Sequence, residues 1–197
     1  MPEPQGRLFV VVGPSGSGKD SLIAWLKQAL PAESAVRFVR RTITRPADAG
    51  GEDHAAMTPA DFEAARTAGR FCLIWQAHGL SYGVPADLVG HVRQGGIAIL
   101  NGSRHALADL FAVFPDARVI SIHVEPIELK RRLAGRGREN AAAIAGRLGR
   151  HDGGLGNHPV HAIIDNSGSL DAAGQALLSL IDPALAARRS KLLPALP

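Results

Sequence analysis

Apolar and polar positions along the chain form two patterns, short continuous apolar runs and longer segments with helical spacing. The apolar runs predict buried β-strands at residues 7–12, 36–39, 71–77, 97–100, 118–124 and 160–165. The intervening segments predict helices over residues 18–30, 85–94 and 104–114, and helices that start near Thr58, Pro126 and Ser169. Because alternating strands and helices build parallel sheets, we expect an α/β fold with a doubly wound parallel sheet and sites at the carboxyl ends of its strands.

Composition and charge narrow the classes of protein. The 197 residues suit one compact domain, and 46% hydrophobic with 20% charged residues is typical of soluble globular proteins. The single cysteine, Cys72, cannot form an intrachain disulfide and favours a reducing, cytoplasmic setting. No apolar run approaches membrane-spanning length, so no membrane partner is expected. The net charge of +4 suits an anionic ligand, but the scattered basic residues and few aromatics argue against nucleic acid.

The loop after the first predicted strand carries the strongest chemical signal. Its glycines let consecutive backbone amides converge on phosphate oxygens, and the helix that follows adds its positive end. Lys19 would reach the outer phosphates of a nucleoside triphosphate. A chance glycine-rich turn is the alternative. The predicted nucleotide-binding residues are Gly13, Pro14, Ser15, Gly16, Ser17, Gly18, Lys19, Asp20 and Ser21.

One position in this loop departs from the usual pattern. A hydroxyl residue normally follows the lysine and contacts magnesium, whereas here Asp20 follows it, with Ser21 next. A carboxylate is a hard oxygen ligand, so we expect Asp20 to bind Mg²⁺ directly or through water, with Ser21 as the second candidate. The alternative is that Asp20 only stabilises the positive N-terminus of the helix.

Two further segments are rich in arginine. Residues 40–53 contain three arginines, which predict a clamp for a second phosphate because guanidinium groups match its oxygens. The carboxylates of Asp48, Glu52 and Asp53 would repel phosphate but could accept hydrogen bonds from sugar hydroxyls. The arginines of residues 129–140 predict a lid that closes over a transferring phosphoryl group. A solvated basic loop and an ordinary surface helix are the respective alternatives.

These motifs, in this order, resemble the guanylate kinase branch of the nucleoside monophosphate kinases over about residues 7–180. The resemblance covers the phosphate-binding loop, TRP at residues 44–46, SYG at residues 81–83, the lid arginines and DNSG at residues 165–168. It implies ATP as phosphoryl donor together with Mg²⁺. It also assigns the acceptor phosphate to Arg45 and Tyr82, the donor phosphates to Arg136 and Arg147, and the donor adenine to Asn166.

The departures from guanylate kinases concern recognition of the base. The glutamate that reads guanine corresponds to Ile74, and the hydroxyl residue after YG to Val84. Guanine recognition needs buried polar partners, so losing them should reject the base. Three more positions differ: a neutral Asn101 and Ser103 replace an acidic residue, Asp48 replaces an arginine, and Arg41 replaces a small hydroxyl residue.

An acceptor with a phosphate but no guanine is implied, and the motifs closely resemble those of the ribose 1,5-bisphosphate phosphokinases of bacterial phosphonate catabolism. In that family GKD is the regular form of the loop. The resemblance implies phosphorylation of ribose 1,5-bisphosphate by ATP to 5-phosphoribosyl 1-diphosphate. A true guanylate kinase, an inactive binding module of the same fold and a gluconate-type sugar kinase are the alternatives; homodimer formation stays open.

The resemblance also implies an organisation and a set of residues. We expect one domain over residues 1–181, with an acceptor-binding insert near 35–95, a lid near 126–158 and a frayed tail from 182. Lys19, Arg136 and Arg147 are the expected catalytic residues, with Arg132 and Arg138 as further lid candidates. The expected acceptor-binding residues are Arg41, Arg45 and Tyr82, and, on position alone, Gln76, His78 and Asn101.

Overall fold

The computed structural model describes residues 6–30, 36–47, 52–135 and 155–192. The first half of the chain forms β1 (Arg7–Val12), α1 (Lys19–Ala29), β2 (Val36–Phe38), β3 (Thr42–Ile43), β4 (Ala55–Ala56), α2 (Pro59–Thr67), β5 (Phe71–Ala77) and β6 (Leu80–Pro85). The second half forms α3 (Asp87–Arg93), β7 (Ile97–Asn101), a 3-10 turn (Arg104–Ala106), α4 (Leu107–Val113), β8 (Arg118–His123), α5 (Pro126–Gly135), β9 (Ala162–Asp165) and α6 (Leu170–Leu192).

Five strands form a parallel sheet in the order β2-β7-β1-β8-β9. β1 lies at its centre, and Val10 pairs with Leu100 of β7 on one side and with Val119 of β8 on the other. Both faces of the sheet are covered by helices, which is why β1 is an apolar run without polar alternation. The predicted doubly wound α/β fold is therefore confirmed.

Alternate residues of β1 enter two separate cores. Phe9 and Val11 pack in one core with residues of α1 and α6, whereas Leu8 and Val10 pack in the other with residues of α3 and α4. Successive side chains of a strand point to opposite faces, so one six-residue strand supports both helical layers. This packing fixes the carboxyl end of β1, from which the glycine loop departs.

A second, four-stranded sheet has the order β4-β3-β6-β5. β6 pairs antiparallel with both β3 and β5, and β3 pairs parallel with β4. Residues 71–77 therefore belong to a hairpin in a mixed sheet, and not to the parallel sheet that the alternation of elements predicted. The apolar pattern missed β6 because Ser81 and Gly83 interrupt it, and it missed β3 and β4 because they have only two residues each.

The helix boundaries follow local chemistry. Thr58 Oγ1 accepts a hydrogen bond from the Asp61 amide at 3.1 Å, with Pro59 in the first turn, as predicted. The predicted cap of the last helix is also confirmed, because Ser169 Oγ accepts from the Ala172 amide at 3.2 Å. The helix predicted from residue 85 begins at Asp87, since Pro85 still belongs to β6.

The last helix departs from the sequence prediction. α6 runs through residue 192 with Pro183 inside it, so the backbone is helical beyond residue 182, where a frayed tail was expected. Over the described ranges, none of the helices combines the length and the apolar character that crossing a bilayer would require.

Candidate active site

The glycine loop joins the carboxyl end of β1 to the first turn of α1, as predicted. Gly16 and Gly18 have φ angles of 88° and 85°, a left-handed conformation that favours glycine. Gly18 is also the N-cap of α1, and a Cβ added there would lie 2.5 Å from Asn166 Nδ2. Both conformation and close packing therefore require glycine at residue 18.

Asn166 is fixed against this loop by a buried hydrogen bond. Its Nδ2 donates to the carbonyl oxygen of Ser17 at 2.7 Å, and its backbone amide donates to His123 O at the end of β8. Two buried atoms here, Asn166 Oδ1 and Ser17 Oγ, have no protein partner. Buried polar atoms are normally hydrogen-bonded, so these two offer capacity to a ligand or to water.

Lys19 closes back over the loop. Its Nζ donates to the carbonyl oxygens of Gly13 and Pro14, each at 2.9 Å. Desolvation lowers the pKa of Lys19 to about 8, with a counteracting contribution from the carboxylate of Asp20 and further lowering by the cations of Arg41 and Arg104. Neutral carbonyls only partly compensate the charge, so an anion bound in the loop would restore the ordinary pKa.

Asp20 is tied to the neighbouring strand. Its carboxylate accepts a hydrogen bond from Asn101 Nδ2 at 2.6 Å, and Asn101 is the buried last residue of β7. The N-cap of α1 is Gly18, without a side-chain cap, so Asp20 does not cap the helix. Ser21 follows in the same turn and is exposed. The carboxylate thus lies between the phosphate loop and the end of β7.

The same amide group of Asn101 also contacts the acceptor segment, by which we mean residues 40–54. Asn101 Nδ2 donates to Glu52 at 3.0 Å, and Glu52 forms an ion pair with Arg41. Arg41 is 7% exposed, and its guanidinium lies over the rings of Trp75 and Tyr82 at 5.4 and 5.1 Å. These two rings stack on each other at 5.2 Å. A continuous chain of polar contacts therefore joins Arg41 to Asp20.

The second predicted clamp residue, Arg45, lies beside a buried histidine. Arg45 Nη2 is 3.4 Å from Nδ1 of His54, whose ring nitrogens lie 3.0 Å from Glu52 O and 3.2 Å from Arg45 O. His54 thus ties together the two ends of the acceptor segment. The Nε–H groups of both Arg45 and Arg41 are buried and have no partner among the residues that the structure describes. Asp48, in the middle of the segment, lies outside the described residues.

The pairing of β5 with β6 determines which of the predicted site residues share a face of the hairpin. Trp75 pairs with Tyr82 and Leu73 with Val84, so these four side chains share one face. Ile74 and Gln76 alternate with them and point to the opposite face. Gln76 is therefore not brought to Arg41 and Tyr82. Leu73 and Val84 are buried in the core, and Ile74 lies on the opposite face of the hairpin.

Of the remaining predicted site residues, the structure describes His78 and Arg132 but not the other lid arginines. His78 is exposed in the β5–β6 turn at a φ of 54°. Arg132 of α5 donates to Glu128 at 2.6 Å and lies near the loop, with Nη1 3.7 Å from a Cβ placed on Gly18. Arg131 and Arg132 hold the pKa of Glu128 at about 2. The lid arginines Arg136, Arg138 and Arg147 lie outside the described residues.

Three residues of the site were not among the predicted site residues. Glu52 was considered only for sugar hydroxyls, and Trp75 was assigned no role. Arg104 follows β7, and burial lowers its pKa while its charge lowers that of Lys19. The sequence feature that could have identified Arg104 is its position, three residues after the end of a buried strand that lies beside β1.

The side chains near the loop fit a magnesium ion held mainly by phosphate oxygens. Among the residues that the structure describes, no three His, Cys, Asp or Glu side chains form a group that could hold a metal by themselves. Asp20 contributes an exposed carboxylate at the loop, and Mg²⁺ typically uses one or two carboxylates plus substrate phosphates and water. The donor set is therefore suited to an ion that arrives with the nucleotide.

Comparisons with known proteins give a consistent result. The family model described as guanylate kinase matches residues 5–183. A ribose 1,5-bisphosphate phosphokinase of Ruegeria sp. is 47% identical over 86% of this chain and 88% of its own. Proteins of the same name are 40% identical in Agrobacterium fabrum, over 88% and 95% of the two chains, and 37% identical in Thiobacillus denitrificans, over 94% and 98%.

Solved structures agree on the fold. A guanylate kinase from Anaplasma phagocytophilum superposes with a TM-score of 0.61 at 18% identity, covering 98% of this chain and 89% of its own. A gluconokinase from Sinorhizobium meliloti gives 0.52 at 16% identity, over 96% and 97%. At these identities the likeness concerns the fold alone. Together with the family match, the sequence relatives show that the chain belongs to the guanylate kinase family, in its group of ribose 1,5-bisphosphate phosphokinases.

Proposed function

We propose that the protein transfers the terminal phosphoryl group of ATP to the 1-phosphate of ribose 1,5-bisphosphate, producing 5-phosphoribosyl 1-diphosphate and ADP. Relatives of this name, at 37–47% identity over most of the chain, support the assignment. The observation that carries it is the link from the phosphate loop through Asp20, Asn101 and Glu52 to the buried Arg41. This link supports a second cationic pocket next to the triphosphate site.

The chemistry requires positioning and neutralisation of charge. An oxygen of the 1-phosphate forms a bond to the terminal phosphorus of ATP, and the bond from that phosphorus to the bridging oxygen breaks, so ADP leaves. The attacking oxygen is already anionic, so no general base is needed. Catalysis then depends on holding two anions in line and compensating their repulsion.

On the donor side, the backbone amides of residues 15–19 would bind the β-phosphate, and Lys19 would neutralise charge at the bridging oxygen. The desolvated ammonium of Lys19 is suited to this role, because its hydrogen bonds go to neutral carbonyl oxygens and a bound nucleotide would add negative charge beside it. Asp20, with Ser21 beside it, would hold Mg²⁺, which supplies Lewis-acid stabilisation of the phosphate oxygens when bound.

On the acceptor side, the mixed sheet would serve as the acceptor-binding insert. Arg41, Arg45 and Tyr82 would bind the sugar bisphosphate, and the two unpartnered guanidinium Nε–H groups are available for its oxygens. The lid would contribute Arg132 together with Arg136 and Arg147. Ile74 and Val84 stand where guanylate kinases have polar residues that read the base, which favours an acceptor without a base.

A direct comparison of acceptors tests the assignment. With ATP and Mg²⁺, purified protein should form ADP rapidly with ribose 1,5-bisphosphate, and at less than about one-hundredth of that rate with GMP or gluconate. Faster ADP formation with GMP would identify a guanylate kinase, and transfer to gluconate a hydroxyl kinase. Absence of turnover with all three would favour an inactive binding module.

A further inference from the structure

Glu52 has unused hydrogen-bonding capacity in the centre of the site. One carboxylate oxygen pairs with Arg41 and the other accepts from Asn101 Nδ2 at 3.0 Å. Its side chain is 15% exposed, so it borders the cleft. An ionised carboxylate offers about four lone-pair positions, and these two contacts leave others open.

The negative charge of Glu52 is neutralised by the adjacent guanidinium of Arg41. Taken alone, a carboxylate in a pocket for a sugar bisphosphate would repel the substrate. The buried guanidinium of Arg41 cancels this charge locally while keeping its own Nε–H without a protein partner. Burying such a pair costs desolvation free energy and is a weak source of stability, which points to a functional reason for it.

The unpartnered atoms around Glu52 define the group that would fit between them. Arg41 Nε–H is a buried donor, and Asn101 Oδ1 is a buried acceptor without a partner. A phosphate oxygen can satisfy the donor, but it cannot donate to Asn101 Oδ1 or to the carboxylate. A sugar hydroxyl both donates and accepts, so it complements this combination.

We propose that Glu52, held in place by Arg41 and Asn101, is the residue that recognises the ribose of the acceptor, and that its carboxylate accepts hydrogen bonds from the vicinal 2- and 3-hydroxyls. This inference rests on the proposed function. It assigns discrimination between sugars to a residue on the acceptor segment, while the arginines and Tyr82 bind the phosphates.

The test combines a change in the substrate with a change in the protein. The ratio of kcat/KM for ribose 1,5-bisphosphate to kcat/KM for 2-deoxyribose 1,5-bisphosphate is measured for the wild type, Glu52→Gln and Glu63→Gln. Glu63 is a matched control, because it pairs with Arg66 on the exposed surface of α2. KM for ATP and the thermal midpoint are recorded for each protein.

The expected ratio for the wild type and for Glu63→Gln is on the order of 10- to 100-fold in favour of ribose, as for loss of a hydrogen bond to a charged group. Glu52→Gln should reduce this ratio to about 3-fold or less, because a neutral amide oxygen is the weaker acceptor. KM for ATP should stay within about 2-fold of the wild-type value, because Glu52 is linked to the donor loop only indirectly, through Asn101.

Two results would overturn the inference while leaving the proposed function intact. One is a wild-type ratio near unity with ribose 1,5-bisphosphate as a good substrate, a measurement that needs no variant to fold. The other is an unchanged ratio in Glu52→Gln with both sugars slowed equally, which would assign Glu52 a structural role only. No turnover of either sugar by the wild type would instead refute the proposed function, and the inference with it.

Discussion

The donor and acceptor halves of the site are built in opposite ways. The donor site is one continuous stretch, residues 13–21, and consists largely of backbone atoms presented by glycines at the edge of a parallel sheet. The acceptor site consists of side chains from several elements of the mixed sheet and from the end of β7. A backbone site depends on local conformation, whereas a side-chain site depends on the tertiary arrangement.

The two halves also differ in electrostatics. Lys19 on the donor side donates to neutral carbonyls, and desolvation lowers its pKa. Arg41 on the acceptor side is paired with a carboxylate of the same chain. We therefore expect the nucleotide to supply the anion that pairs with Lys19 in the donor loop. In the acceptor pocket the charge of Arg41 is already paired with Glu52, so we expect this pocket to distinguish substrates by hydrogen bonds. Substitutions in the two halves should consequently change different kinetic constants.

The largest effect is expected on the donor side, for Lys19→Ala. Loss of the charge at the transferring phosphate should lower kcat on the order of 10³-fold, the size found for removing a transition-state donor. Because Lys19 is a desolvated cation, its removal should not lower the thermal midpoint. Steady-state kinetics and thermal unfolding measure both quantities, with Lys27→Ala on the exposed last turn of α1 as control. Near-normal kcat in the Lys19 variant would mean that the loop does not bind the transferring group.

The next largest effect is expected on the acceptor side, for Arg41→Lys. Lysine keeps the charge but loses the planar fork, so contacts to Glu52 and to the acceptor cannot both be made. We expect kcat/KM for ribose 1,5-bisphosphate to fall about 10- to 100-fold, and KM for ATP to stay within about 2-fold.

Arg40→Lys is the matched control for this substitution, because Arg40 is the neighbouring residue and forms an exposed pair with Asp53. It should leave both constants nearly unchanged. Equal losses in the two variants, or a loss confined to KM for ATP, would contradict the separation of donor and acceptor functions.

A moderate effect is expected from pH. In the free protein Lys19 loses its proton near pH 8, and a bound triphosphate should raise that pKa. Consequently kcat/KM for ATP should decline above about pH 8, whereas kcat at saturating ATP should hold to higher pH. Binding of ATP near pH 8 should take up about half a proton, measured by calorimetry in buffers of different ionisation enthalpy. Absence of proton uptake would show that Lys19 is already fully charged in the free protein.

The same pKa shift carries a consequence for stability. The unfolded chain holds the Lys19 proton up to its ordinary pKa of 10.5, while the folded chain releases it near 8. Between these values the unfolded state binds more protons, so the contribution of Lys19 to the free energy of unfolding increases with pH. Lys19→Ala should remove that contribution, which denaturant titrations at two pH values can detect.

The smallest effect is expected for Ile74→Glu. Guanylate kinases read guanine with several polar groups together, and Val84 and Asn101 would still differ from them, so one added glutamate should not create base recognition. GMP turnover should stay undetectable, and turnover of ribose 1,5-bisphosphate should stay within about 3-fold of wild type. Detectable GMP turnover in Ile74→Glu would show that a single carboxylate is enough to read the base.

These contrasts explain which parts of the molecule could be predicted from the sequence. The strand, glycine loop and helix at the donor site are local, and each of their signals is contained in about twenty residues. The acceptor site was reached only in part: Arg41 follows from composition, but its contacts with Glu52, Trp75 and Asn101 depend on three elements that are distant in sequence.

The errors have the same physical origin. Successive side chains of a strand point to opposite faces, so the sequence position that made Gln76 a candidate did not show that it lies on the face opposite to Tyr82. The short strands β3 and β4 carry too few residues to give a hydrophobic period. Their existence depends on pairing with β6 and with each other, which a sequence pattern does not contain.

The central claim is that the acceptor atom is a phosphate oxygen on a sugar that carries no base. Phosphorus NMR of a reaction with ATP, Mg²⁺ and ribose 1,5-bisphosphate tests it directly, with GMP in a parallel tube. We predict that new coupled diphosphate signals appear at the same rate as ADP, and that the GMP signal persists. A new uncoupled phosphomonoester, release of inorganic phosphate alone, or conversion of GMP to GDP would contradict the account.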